Sequence, residues 1–166
     1  MHFDFAWRSA RRLGVPDHAL DDAVQETFMV VHRKLGEFEG RSSLKTWIFG
    51  IIRRVVRDHR PPARWQLAPP AMLDQIAEPV EDGPLHSAAN AEAGRRLARL
   101  LDKLDDHKRE VFVLVDLEEM TVPEAAEAIG ANLNTVYARL RAARRALAEV
   151  LARERARERN LERCSG

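Results

Sequence analysis

One cysteine in 166 residues, placed near the chain end at Cys164, excludes an intrachain disulfide and fits a reducing compartment. No run approaches the roughly 18 uncharged apolar residues of a membrane span. The opening residues, MHFDFAWRSARR, lack the apolar core of a signal peptide, so no membrane insertion and a cytoplasmic location are expected. Catalytic signatures are missing as well: there is no Walker loop, no glycine-rich dinucleotide turn, no GxSxG and no paired Cys/His spacing. The six histidines are scattered, and His32 and His59 read as structural or surface residues within helices. The chain is expected not to be an enzyme and to need no cofactor and no metal. No segment alternates apolar and polar residues long enough for a strand, and no internal repeat is visible.

What is present is enough for packed helical cores: 45 % of residues are apolar and 32 % charged. The net charge of +1 hides an uneven distribution. Residues 1–60 carry 11 Lys/Arg against 8 Asp/Glu, residues 61–94 carry 1 against 5, and residues 95–166 carry 15 against 13. Locally, residues 41–60 hold 6 basic groups and 1 acid, and residues 132–166 hold 9 and 4. Two basic surfaces therefore flank an acidic middle. That middle, PPARWQLAPPAMLDQIAEPVEDGPLHS, contains six of the eight prolines and keeps no period, which reads as a linker. The expected fold is all-α, with two small helical domains, residues 1–60 and 91–157, joined by a flexible acidic linker over 61–90. A helix-turn-helix ends the second domain, and a charged tail covers 158–166.

In the first domain, Leu20, Val24, Phe28, Val31 and Leu35 share one helical stripe, with Asp17 after Pro16 as the expected N-cap. A loop, EFEGRSS, leads to a helix from about Ser43, where Leu44, Trp47, Ile48, Ile51 and Val55 form the buried line until Pro61 and Pro62 end it. In the second domain, RRLARLLDKL and DHKREVFVLVDL are helical, with Asp105 or Asp106 as a cap between them. Thr121 and Glu124 have capping-box spacing, and Ala125, Ala126 and Ile129 make a small packing face.

Next comes GANLNTVYARLRAARRAL. A short helix, a connection containing Gly130 and an arginine-bearing helix form the helix-turn-helix pattern, whose second helix enters the DNA major groove. With Val136, Leu140, Ala143 and Leu147 inward, Ala138, Arg141, Ala142 and Arg145 face outward, and Asn134 and Tyr137 lie at the edge. Arg141 or Arg145 can reach a guanine edge, and the remaining arginines can neutralise phosphate. Alone, such a helix reads equally well as a solvated basic face. The small alanines of TVPEAAEAIG, which let two short helices cross closely, favour DNA binding.

The helix from Ser43 has a second surface made of Lys45, Phe49, Arg53, Val56, Arg57 and Arg60. An aromatic ring among cations suits an unpaired base and its backbone; the other reading of Phe49 is a core residue of the bundle. The helix from Asp17 to Leu35 turns Asp22, Gln25, Glu26, Met29, Val30 and Arg33 outward, a mixture that suits a protein partner. Two other functions stay open on these residues alone. One is a stand-alone DNA-binding regulator whose first half dimerises, in which Phe49 is buried rather than exposed. The other is a helical nuclease holding a metal on Asp21, Asp22 and Glu26.

Together, DDAVQETFMVVHRKLGEFEGRSSLKTWIFGIIRRVVRDH and LDKLDDHKREVFVLVDLEEMTVPEAAEAIGANLNTVYARLRAARRAL resemble the second and fourth conserved regions of the extracytoplasmic-function sigma factors, promoter-recognition subunits of bacterial RNA polymerase. The resemblance implies that Asp22, Gln25, Glu26, Met29 and Arg33 dock on the clamp helices of the polymerase β′ subunit. It implies that Phe38, Gly40, Arg41, Ser42, Lys45, Trp47, Phe49 and Arg53 hold the melted minus-ten element. Asn134, Thr135, Tyr137, Ala138, Arg141, Arg144 and Arg145 then bind the minus-thirty-five element, Arg144 reaching only phosphate. The implied partners are core RNA polymerase, through its β′ clamp helices and β flap, promoter DNA and an anti-sigma factor. The chain departs from the family's pattern at Gly50, Arg54 and Ala142, and about one helix that usually precedes FDFAWRSARRLG is not found here. A linker of about 30 residues averages about 30 Å as a coil and reaches about 100 Å extended, so both DNA sites are within its reach.

Overall fold

The computed structural model describes residues 2–59 and 84–164, in which seven α-helices and no strand are found. Helix α1, His2–Arg12, turns Phe5, Ala6, Ser9 and Ala10 inward at helical spacing, with Asp4 in its first turn and Arg11 and Arg12 in its last, each sign matched to the helix dipole. Gly14, at φ 98°, ends it. A 3-10 turn over Asp17–Ala19 follows Pro16, and α2 runs from Leu20 to Lys34. Asp17 therefore lies one tight turn too early to cap α2, whose N-cap is Ala19; its carboxylate faces Arg11 at 3.4 Å instead.

The buried line of α2 is Leu20, Ala23, Val24 and Thr27. Phe28 and Val31 are half-buried, and Leu35, which closes the expected stripe, is exposed because a 3-10 turn over Leu35–Glu37 has replaced the helix there. The Thr27 hydroxyl donates to the Ala23 carbonyl at 2.8 Å and so enters the core satisfied.

Helix α3, Leu44–His59, starts where the Ser43 hydroxyl accepts the Thr46 N–H at 3.1 Å. It packs against α1 and α2 and, on another side, against a helix of the second half. Its buried arc is correspondingly wide, comprising Thr46, Ile48, Phe49, Ile51, Ile52, Val55 and Val56. Pro61 and Pro62 lie outside the described residues.

Helix α4, Pro84–Leu101, begins inside the stretch whose prolines read as linker; proline is compatible with a first helical turn and does not break one there. The Asp105 carboxylate accepts the Lys108 N–H at 3.0 Å and caps α5, Asp106–Phe112. A π-turn over Val113–Leu117 carries the chain to Glu118, and Glu119 takes a left-handed φ of 56°. Helix α6, Val122–Ile129, opens on the capping box between Thr121 and Glu124 and closes on Gly130 at φ 67°.

Helix α7 runs from Leu133 to Cys164, through the residues expected as a tail. No glycine or proline interrupts it, and Ala, Leu, Arg and Glu, all good helix formers, dominate its second half. One apolar cluster connects both halves of the chain, with Phe5, Leu20, Ile48 and Phe49 at one end and Val111, Leu114, Val136 and Leu140 at the other.

Candidate functional site

Three surfaces carry the residues singled out by sequence. The first lies along α1 and α2. Asp22, Gln25, Glu26, Met29 and Arg33 are all exposed on one side of α2, as the helical register requires. Beside them is a groove of about 710 Å³ lined by Phe3, Asp21, Gln25, Phe28, Met29, His32 and Arg33. Phe3 is 56 % exposed and Met29 58 %. Phe3 stacks on Phe28 with ring centroids 5.8 Å apart.

An apolar floor with a charged rim suits a helical protein partner. Phe3 and His32 were not expected in it. Phe3 reaches Phe28 only because α1 crosses α2, a tertiary fact that no local pattern holds. The His59 ring Nε2 donates to the Glu26 carboxylate across 2.7 Å, so Glu26 is drawn towards α3 and away from Asp21 and Asp22.

The second surface is the loop after α2 and the start of α3. Phe38 packs its ring on Trp47 at 5.2 Å, Gly40 takes a φ of 69°, and Arg41 pairs with Glu39. Ser42 is half-buried. Lys45 donates to the carbonyl of Glu118 at 2.7 Å, and Arg53 donates to Glu110 at 2.7 Å and to the carbonyl of Ile129 at 3.2 Å. These cations are thus occupied by the second half of the chain.

Phe49 corrects the sequence reading, since it is fully buried and not exposed. Its ring lies 6.4 Å from that of Phe5. Val56, assigned to the same open face, is buried too. The cause is that α3 has neighbours on both sides, so the face opposite the buried line is covered at Phe49 and Val56, while Arg57 beside it stays exposed. The burial is supplied by α1 of the same chain, so it lends nothing to a dimer core. Arg60 lies outside the described residues.

The third surface is α7. Val136, Leu140, Ala143 and Leu147 are buried, whereas Asn134, Tyr137, Ala138, Arg141 and Arg145 are exposed and Thr135 and Ala142 half-buried. The Asn132 side chain accepts the Thr135 N–H at 2.8 Å and caps the helix, a role the sequence reading missed although Asn at this place is a recognised cap. Gly130 supplies the left-handed residue between α6 and α7.

Arg144 departs from expectation, because it is not a free phosphate ligand. It grips both oxygens of Asp116 at 3.0 and 2.6 Å. The hydrogen bond to Asp116 raises its pKa further above an already high value, so the guanidinium stays charged. Tyr137 and Leu133, each nearly half exposed, add an apolar edge beside Arg141.

Two family models match this architecture: Sigma-70 region 2 over residues 1–66 and Sigma-70 region 4 over residues 94–147. The RNA polymerase sigma factor CnrH of Cupriavidus metallidurans is 32 % identical over 148 residues, covering 85 % of this chain and 78 % of that protein. The ECF RNA polymerase sigma factor SigC of Mycobacterium tuberculosis is 32 % identical over 127 residues, covering 76 % and 67 %. Among solved structures, CnrH in complex with the cytosolic domain of CnrY superposes with a TM-score of 0.69 at 29 % identity over 91 % of this chain and 82 % of that one. The sigma factor RpoE in complex with the anti-sigma factor NepR, from Bartonella quintana, gives 0.68 at 24 % identity over 90 % and 91 %, which shows the shared fold. Helices α1–α3 and the helix-turn-helix of α6 and α7 are thus the two conserved units in their expected order, and the chain belongs to the extracytoplasmic-function sigma factors, which direct core RNA polymerase to specific promoters.

Proposed function

We propose that the α2 surface around Asp22, Gln25, Glu26, Met29 and Arg33 docks on the clamp helices of the polymerase β′ subunit. In this reading the loop Phe38–Leu44 with Lys45 and Arg53 holds the unpaired minus-ten strand, and α7 reads the minus-thirty-five element through Arg141 and Arg145. The chain works in the cytoplasm by binding and positioning, and makes or breaks no bond itself. The two domains act as residues 1–60 and about 91–157. Support comes from one observation above all: the Phe3–Met29 groove stays open beside the acids of α2 while Lys45 and Arg53 of α3 are engaged by the second half of the chain. A protein partner can therefore engage first. No described helix is long and apolar enough to cross a membrane. CnrH, at 29 % identity, has been solved with the cytosolic domain of CnrY bound, and a regulatory protein partner, an anti-sigma factor, is proposed for this chain. The test is capture of the full chain by purified core polymerase. Asp22→Arg with Met29→Asp abolishes capture if this surface docks; undiminished capture overturns the assignment.

A further inference from the structure

We infer that the second half of α7 is a further DNA-contacting segment, whose Arg155 and Arg159 hold phosphates of the duplex flanking the upstream element. The inference rests on the assignment of Arg141 and Arg145 to the groove side of α7 made above.

Helix α7 runs unbroken from Leu133 to Cys164 over 32 residues, which makes it about 48 Å long. The major groove is about 12 Å wide, so only the first turns can lie within it and the remainder must leave past its phosphate borders. At about 100° per residue, the direction of Arg141 is kept by Arg145, Ala148, Ala152, Arg155 and Arg159, all within about 40° of it. Each of these residues is exposed. Arg155 stands about 21 Å and Arg159 about 27 Å beyond Arg141 along the axis, and helical side chains lean back towards the N-terminus. Both guanidiniums are therefore too far out for the base edges that Arg141 meets and are placed for phosphate. The alanines between them and Arg145 keep that side of the helix low, so that a phosphate ridge can come close.

The charges of this segment are sorted by side. Arg155 and Arg159 are spaced by four, as are Arg153 and Arg157, and Glu154, Glu158 and Glu162 also recur every fourth residue. Like charges at this spacing repel along a helix face, so a helix stabilised by its own ion pairs alone would interleave the signs there. Glu154 has its partner within the protein: it shares the direction of the buried Val136, and its carboxylate accepts from the Arg96 guanidinium of α4 at 3.2 Å. The inward side of the segment is thus met by α4, whereas Arg155 and Arg159 have no ion pair among the described residues. Glu149, the nearest acid among the described side chains of α7, lies about 80° round from Arg141. Two unmatched guanidiniums that continue the line of two groove-facing ones fit the backbone of the same duplex; an acidic protein partner would not require that line.

The experiment uses the full chain and a fluorescein-labelled duplex of mixed sequence, titrated by anisotropy at several salt concentrations. Arg155→Ala with Arg159→Ala is expected to lower the log–log salt slope by about 1.8 units, at about 0.9 per phosphate. Helical circular dichroism should be kept, since alanine is the best helix former. Over randomised duplexes the same pair should weaken binding without altering sequence preference. Arg153→Ala with Arg157→Ala removes the same charge from the same segment but off the line, about 120° and 160° round, and is expected to leave the slope nearly unchanged.

Equal losses from the two pairs overturn the inference, because net charge alone would then explain them, as does an unchanged slope for the first pair. Should Arg155→Ala with Arg159→Ala keep its duplex binding and lose capture by core polymerase instead, these arginines meet an acidic protein surface and the inference is likewise overturned. The underlying assignment is tested separately: if Arg141→Ala with Arg145→Ala leaves duplex binding unchanged, the groove side of α7 is misplaced, whereas an unchanged slope for the outer pair alone removes only the extension.

Discussion

Arg144 on the recognition helix and Asp116 in the π-turn are joined by two parallel N–H···O bonds, at 3.0 and 2.6 Å. This fork-to-fork contact ties α7 to the segment leading out of α5, in the register that the buried Val136, Leu140 and Ala143 set. Arg144 is thereby a positioning residue. Asp116→Asn should release it towards the DNA backbone, steepening the salt dependence of duplex binding by about one unit of log–log slope. Anisotropy titrations at several salt concentrations measure this; an unchanged slope shows that Arg144 cannot reach phosphate from its place on α7.

Arg141 is exposed and unbonded to Asp116, and Val136 and Leu140 fix it on the groove side. Arg141→Ala should cost about 1–3 kcal/mol on the preferred upstream element and relax preference at one or two base pairs. A uniform loss over randomised duplexes would mean that the helix sits on the backbone and reads shape.

Phe49 fills the space between α3 and Phe5 of α1. Phe49→Ala should therefore destabilise the fold by about 3–5 kcal/mol, as truncating a buried phenylalanine does. Denaturant unfolding reads this, and a loss below about 1 kcal/mol contradicts the burial.

These residues also show how far the sequence carried. The inward register of α7 was legible because Val136, Leu140, Ala143 and Leu147 recur at helical spacing beside a Gly130 turn. The capping box of α6 was legible for the same local reason. Phe49 was misplaced because periodicity counts only one buried side, and α3 has two. The groove at Phe3 and the pairing of the buried Glu118 carboxylate with Arg8 and Arg12 depend on helices meeting from distant parts of the chain. In the sequence, Arg8, Arg12 and Glu118 look like any solvated charges.

The capping box has a pH dependence of known sign. The hydroxyl and backbone N–H of Thr121 both donate to the Glu124 carboxylate and hold its pKa below the ordinary value. A depressed carboxylate adds stability above its unfolded pKa and loses it as pH falls through the folded one. The stability difference between wild type and Glu124→Ala should then be full at neutral pH and shrink below about pH 4, near the ordinary value for Glu. Melting temperatures from about pH 3 to about pH 7, a span that brackets the ordinary glutamate value and reaches full ionisation, test this, and a constant gap contradicts it.

Glu119 holds a left-handed φ of 56° that favours glycine. Glu119→Gly should relieve strain and raise stability by up to about 1 kcal/mol. A fall in melting temperature would mean that the Glu119 side chain makes a contact worth more than the strain.

The most direct measurement of the account is run-off transcription by purified core polymerase on a library randomised over both promoter elements, with and without the chain. The account predicts transcripts only when the chain is added, from templates enriched in two separated sequence blocks. Arg141→Ala should alter the upstream block alone, and Lys45→Ala with Arg53→Ala the downstream block alone. Transcripts no different from those of core polymerase by itself, or one block altered by both sets of variants, would contradict it.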